Sequence, residues 1–258
     1  MKKLESNLLS FETHLEELIV LLDINEFIPK LKVSLGSIVN WNGIEQDQKQ
    51  LVSDFYKLKA TPSRSLFNSI YLSAVASFES YLTHTIEVVI ENLNNKCKTF
   101  EQLPGVFINK HIELTGKILS TVHSPPAHIN VDYYKLGKTL GTVTPKSEKI
   151  ELNTEIAGFI RQLLELDGFI SFISHCDIKI DFDTICNDAT MKSTFGVTKT
   201  RDAANELKAF LEQTKKMRNR IAHTGQNASD MTSDSVRSMI NKLRVISKRL
   251  NALIIERV

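Results

Sequence analysis

Ser69-Ile70-Tyr71-Leu72-Ser73-Ala74-Val75-Ala76-Ser77-Phe78-Glu79-Ser80-Tyr81-Leu82 lies within the strongest run of helical periodicity in the chain. Thr61-Pro62-Ser63, just upstream, reads as an N-cap with proline in the first turn. The spacing therefore predicts a helix over roughly residues 62–94. Leu66, Ile70, Ala74, Ser77, Phe78, Tyr81, Thr85 and Val88 share one face, and Leu72, Val75, Ala76, Leu82 and Ile86 share a second. A helix apolar on two faces packs on both sides and belongs at the centre of a domain. Glu79 falls on the second face, where an unpaired carboxylate is costly. We therefore expect Glu79 to be buried and paired with an arginine: Arg218 first, with Arg220 or Arg64 as alternatives.

The same period recurs along most of the chain. Residues 4–23 form a first helix with Leu8, Phe11, Leu15, Leu18 and Leu22 on one side. Pro29 starts a second, weaker helical stretch, and Ile44, Leu51, Phe55 and Leu58 give a further stripe. Residues 122–149 hold most of the turn signals, including Ser124-Pro125-Pro126 and Gly137 to Pro145, so this segment reads as a loop-rich insertion. Helix is expected again at about 147–166, ending at Asp167-Gly168. Ile178 to Phe182 alternates like a strand but is too short to define one. Two clear amphipathic helices close the chain, at about 200–223 and 233–257. The fold class is all-α, a helical bundle with an N-terminal helical extension (1–60) and a main domain (61–258) interrupted near 122–149.

Composition narrows the function classes. The 258 residues are 42% hydrophobic and 24% charged, which is ordinary for a globular protein. The net charge is +2, yet residues 201–258 carry 12 Lys and Arg against 6 Asp and Glu. A basic C-terminal part on a near-neutral protein suits an anionic partner. Cys97, Cys176 and Cys186 are odd in number and lack CxxC spacing, which argues against a disulfide scaffold or a zinc site. No apolar run approaches a membrane span and the N-terminus lacks signal-peptide character, so a cytoplasmic protein is expected. No clustered Asp, Glu and His with metal spacing is present, which disfavours a two-metal nuclease, and no cofactor motif is found.

The residues that can carry chemistry stand near the end of the 200–223 helix: Arg218-Asn219-Arg220-Ile221-Ala222-His223, followed by Thr224-Gly225. Arg218 can hold a phosphate and His223 can move a proton. Five residues apart on a helix, they project about 140° from each other, whereas Asn219 shares a face with His223. Arg218 borders the apolar stripe of Leu207, Leu211, Thr214, Met217 and Ile221, so partial burial is expected. Gly225 is a C-cap signal that leaves His223 accessible in the last turn.

The Arg-Asn-Arg-Ile-Ala-His segment, at the end of one helix and before the last, resembles the R-x4-6-H motif of HEPN-domain proteins. The Ser69–Leu82 stretch is similar to the first core helix of the HEPN subgroup associated with RiboL-PSP and related prokaryotic defence loci. The resemblance covers about 62–95 and 147–257. It departs at Gly225, where some HEPN toxins carry a tyrosine two residues after the histidine. It implies metal-independent RNA cleavage by attack of the 2′-hydroxyl, with Arg218, His223 and Asn219 as catalytic residues and Glu79 supporting Arg218. That chemistry needs a base, an acid and positive charge on the phosphorane. One chain supplies a single motif histidine, so a homodimer with a composite site is expected. Implied partners are RNA, contacted by Lys215, Lys216, Arg220 and Arg244, and a regulatory or antitoxin protein. A catalytically silent HEPN domain that binds RNA or nucleotide, or scaffolds a partner, is the alternative. His14, His84, His111, His123, His128 and His175 share no motif and read as surface or loop residues. Tyr133-Tyr134 can stack bases, and Trp41 reads as packing.

Overall fold

In a computed structural model the protein is described over residues 1–38, 45–57, 63–124, 131–160, 162–224 and 231–258. The helices are α1 (Lys2–Ile38), α2 (Gln46–Lys57), α3 (Ser63–Lys96), α4 (Gly105–Leu119), α5 (Tyr133–Thr142), α6 (Asp167–His175), α7 (Phe182–Cys186), α8 (Ala189–Thr194), α9 (Thr200–Thr224) and α10 (Ser233–Ile255). Short 3-10 turns occupy Phe100–Gln102 and Thr154–Phe159. Among the described residues there is no strand, so the fold is all-α. Thr61, Pro62, Trp41, Gly225 and the side chain of Arg64 lie outside the described residues.

Helix α3 is the hub. Ile70, Tyr71, Ala74, Val75, Phe78, Tyr81, Leu82, Ile86 and Ile90 are all buried, while Ser69, Ala76 and Ser80 stay exposed. Two tyrosines fasten the hub to the last helices. The Tyr71 hydroxyl donates to the Thr214 carbonyl in α9 at 3.3 Å, and the Tyr81 hydroxyl donates to the Ser247 carbonyl in α10 at 3.0 Å. A buried phenol without a partner would be costly, so these bonds fix where α9 and α10 can sit.

Helix α1 runs antiparallel to both α3 and α10. Lys3 meets Glu91, Asn7 donates to the Tyr81 carbonyl, and His14 bonds the Ser73 hydroxyl. On the other side Glu12 meets Lys248, Glu16 meets Arg244 and Asp23 meets Arg237. Leu4, Phe11, Leu15, Leu18 and Leu22 fill the valley between the two partners. Pro29 was expected to separate two helices, but α1 continues through it. The proline removes one donor to the residue 25 carbonyl and sits on an exposed part of the helix, where water can solvate that group.

Two segments differ from their sequence reading. Residues 133–142 form a helix despite Gly137 and Gly141, because Asp132 caps the Lys135 N–H at 2.9 Å and Leu136, Thr139 and Val143 are buried. Residues 147–166 do not form the expected helix. Their backbone N–H groups are claimed by other elements: Ile150 donates to the Lys98 carbonyl, Leu152 to Asn94 Oδ1, and Asn153 to His111 Nε2. Ile150, Leu152, Ile156, Ala157 and Leu164 are buried, so the segment is an apolar strap. Leu166 is fully buried at φ 65°, and the helix starts after it at Asp167. Ile178 and Ile180 are both buried on an extended stretch, and Asp181 caps α7 by accepting from the Thr184 N–H. Cys97, Cys176 and Cys186 are free thiols in buried positions. No helix among the described residues is long and apolar enough to cross a membrane.

Candidate active site

Helix α9 carries Leu207, Leu211, Thr214 and Ile221 into the core, with Met217 half-buried beside them. That stripe fixes the rotation of the helix and so the direction of every other side chain in its last turns. Arg218 emerges at the edge facing α3. Its Nη2 donates to Glu79 Oε2 at 3.3 Å and its Nη1 donates to Asn219 Oδ1 at 3.1 Å. Two of the guanidinium's five donors hold it in place, and the side chain, 42% exposed, keeps the others for an anion.

Glu79 was expected to be buried; its side chain is 31% exposed, so it is half-buried at the α3–α9 seam. The arginine it meets is Arg218. Burial pushes the Glu79 carboxyl above the usual carboxylate range, and the Arg218 charge only partly opposes this. A group shifted upward destabilises the fold as pH rises through its folded-state value. Replacing Glu79 with neutral glutamine therefore leaves global stability within about 1 kcal/mol. It does, however, loosen the guanidinium. We expect Glu79→Gln to weaken binding of an anion at Arg218 by about tenfold, equivalent to about 1.4 kcal/mol, with an unchanged thermal midpoint. Wild-type anion affinity in this variant would show that Arg218 needs no such anchor.

His223 is exposed in the last turn of α9, where the unpaired carbonyls of a helix end lie. Because α9 is unbroken from Thr200 to Thr224, Arg218 and His223 keep the helical offset of about 140°. Asn219 is half-buried on the face shared with His223.

The basic residues divide. Lys216 forms a 2.6 Å pair with Glu212 on the same helix and remains largely exposed. Arg220 donates to the Met217 sulfur and is exposed. Lys215 is paired with Glu165, tying the apolar strap to α9. Arg244 is only 21% exposed and meets Glu16 at 2.7 Å, so it joins α10 to α1 and does not present an open cation to RNA. Among the histidines, His111 differs from its surface reading: it is fully buried in α4. Tyr133 is half-buried with its hydroxyl at the Thr121 hydroxyl, whereas Tyr134 is 85% exposed. No sequence signal had marked the Lys215–Glu165 tie, because its partner lies on an irregular strap. Cavities of about 540 Å³ beside α4 and α6, and about 560 Å³ between α1 and α3, are lined by neither Arg218 nor His223. Among the described residues no group of three or more His, Cys, Asp or Glu could hold a metal.

The all-α bundle is consistent with a HEPN-type helical fold, and its penultimate helix carries Arg-Asn-Arg-Ile-Ala-His in its last turns. The family model described as RiboL-PSP-HEPN matches residues 42–256, and the chain belongs to that family. The match runs through residues 122–149, where the resemblance read from the residues had stopped. No curated protein and no solved structure matches the chain.

Proposed function

We propose that the protein is a metal-independent endoribonuclease that cleaves RNA at a site composed from two copies of the chain. The observation that carries this reading is Arg218, held by Glu79 and Asn219, on the same unbroken helical end as an exposed His223. Neutral His223 of one copy takes the proton of the 2′-hydroxyl as O2′ attacks the adjacent phosphorus. The protonated imidazole of the partner's His223 gives its proton to the departing 5′-oxygen. Arg218 stabilises the negative charge gathering on the phosphorane oxygens. Since Arg218 and His223 diverge by about 140° on one helix, a second copy is a natural way to place acid and base on one phosphate. Lys216 and Arg220 guide the RNA through phosphate contacts. The biological setting we infer is prokaryotic defence or a toxin role, with a regulatory or antitoxin protein restraining the activity.

A silent, RNA-binding or scaffolding role is favoured by one observation: Lys215, Lys216 and Arg244 already have carboxylate partners. Purified protein incubated with mixed tRNA and rRNA in EDTA separates the two. The nuclease reading predicts fragments ending in 2′,3′-cyclic phosphate and 5′-hydroxyl. Products with 5′-phosphates, or loss of cleavage in chelator, would overturn the mechanism, and intact RNA would favour the silent role.

A further inference from the structure

Helix α1 is apolar on two opposite faces, and among the described residues only one of them is buried against the core. Phe11, Leu15, Leu18 and Leu22 face the core. Nine residues beyond Leu18, Phe27 projects about 180° away from it. Val20, Ile24 and Phe27 are 50%, 50% and 58% exposed, and Leu31 continues their row. The spacing of four, three and four residues is that of a coiled-coil seam, with Val20 and Phe27 at d positions and Ile24 and Leu31 at a. Pro29 lies on the side of the helix away from this row, so its ring and missing N–H leave the seam intact.

We propose that this seam is a self-association surface, on which α1 of a second copy packs antiparallel about a two-fold axis. The flanks select this occupant and this direction. One flank carries Asp23 and Lys30 at the two g positions, and the other carries Leu21 and Ile28 at the two e positions. Antiparallel pairing sets g against g and e against e. Asp23 then meets the partner's Lys30, Lys30 meets the partner's Asp23, and the apolar flanks cover each other. Within the seam Ile24 packs on the partner's Phe27, and Val20 on the partner's Leu31. Parallel pairing instead sets Asp23 against the partner's Ile28, which opposes a charge to an apolar group. The pairing is isologous, as a two-fold interface must be. Asp23 already accepts from Arg237 at 2.6 Å, yet its side chain is 60% exposed and retains acceptor capacity. Residues 20–31 lie outside the span matched by the family model, so the surface belongs to the extension of this chain.

Two short heptads bury less than the roughly 800 Å² per partner of a standard interface, so dissociation is expected on the order of micromolar if the seam acts alone. This pairing rests on α1 alone and does not depend on RNA being cut. Sedimentation velocity of the full chain without RNA, from about 1 to 100 µM, tests it. Wild type should associate with concentration, and the Ile24→Glu/Phe27→Glu double variant should remain monomeric with native circular dichroism. Lys30→Glu and Asp23→Lys should each weaken association at least about tenfold. An equimolar mixture of these two should associate again, because one chain then offers only carboxylates and the other only ammonium groups. A monomeric wild type throughout that range overturns the proposal. A dimer that survives the Ile24→Glu/Phe27→Glu change overturns the seam alone and leaves the composite ribonuclease reading standing.

Discussion

On the ribonuclease reading proposed above, His223→Ala should lower RNA cleavage by about 10²–10⁴-fold, the contribution of a positioned proton carrier, and Arg218→Ala by about 10²–10³-fold, the contribution of a preorganised charge on a developing oxyanion. Neither loss should come from unfolding. His223 is exposed in the last helical turn, so its truncation leaves the core intact. Arg218 is 42% exposed, and its removal strands only a half-buried Glu79 whose carboxyl already sits above its usual range and can take a proton. Arg218→Lys should fail nearly as badly, because a single ammonium cannot reproduce a planar fork donating to Glu79 and Asn219 at once. Single-turnover cleavage with circular dichroism checks all three. Wild-type rates in either alanine variant would remove that residue from the site.

The second large effect concerns stability in acid and arises far from α9. His111 is completely buried in α4, lies against the Phe107 ring in a tilted pair with centroids 5.7 Å apart, and accepts the Asn153 N–H on Nε2 at 2.9 Å. That bond requires the proton of the neutral ring to be on Nδ1, which has no hydrogen-bond partner among the described residues. Burial pushes the His111 pKa down to about 4. Between that value and the ordinary value of about 6.5, the unfolded chain binds the proton more tightly than the folded one. Stability from this group is therefore complete above about pH 6.5 and is lost as the pH falls toward 4. Going from pH 8 to pH 5 should cost about 2 kcal/mol through His111 alone. Urea denaturation at the two pH values measures it. His111→Gln keeps an acceptor for Asn153 and should lack that part of the acid loss. An identical pH dependence in the variant would assign the sensitivity to other groups.

What could be read from the sequence follows from which interactions are local. Helices α9 and α10 were legible because each spends one periodic stripe on one buried side, Leu207 to Ile221 and Val236 to Leu253, and α3 because both of its apolar faces keep the helical period from Ile70 to Ile86. The sequence placed the start of α10 at about 233 with its cap near Ser233-Asp234; the helix does start at Ser233, but the cap is Thr232, whose side chain accepts the Ser235 N–H at 3.1 Å. The Glu79–Arg218 contact could be inferred because a carboxylate stood between Val75 and Leu82 and an arginine stood at the border of the apolar stripe near the end of the 200–223 helix. The strap at 147–166 was not legible. Its apolar residues mimic a helical stripe, but Asn94, Lys98 and His111, each more than 40 residues away, take its N–H groups. His111 escaped for the same reason, since only the strap makes it a buried acceptor. Arg244 looked like an open cation because α10 shows no acid nearby in sequence; Glu16 comes from the opposite end of the chain. The break assigned to Pro29 reflects a local rule that an exposed carbonyl can satisfy with water.

The proposed two-copy site is tested most directly by diluting wild-type chains with His223→Ala chains under conditions of subunit exchange, at constant total protein, and measuring RNA cleavage. If each cut needs one His223 as base and the partner's His223 as acid, only wild-type pairs are active. Activity then falls as the square of the wild-type fraction, to about one quarter at equal mixing. A linear fall to about one half would mean that a single chain carries the whole reaction, and the two-copy site would be wrong.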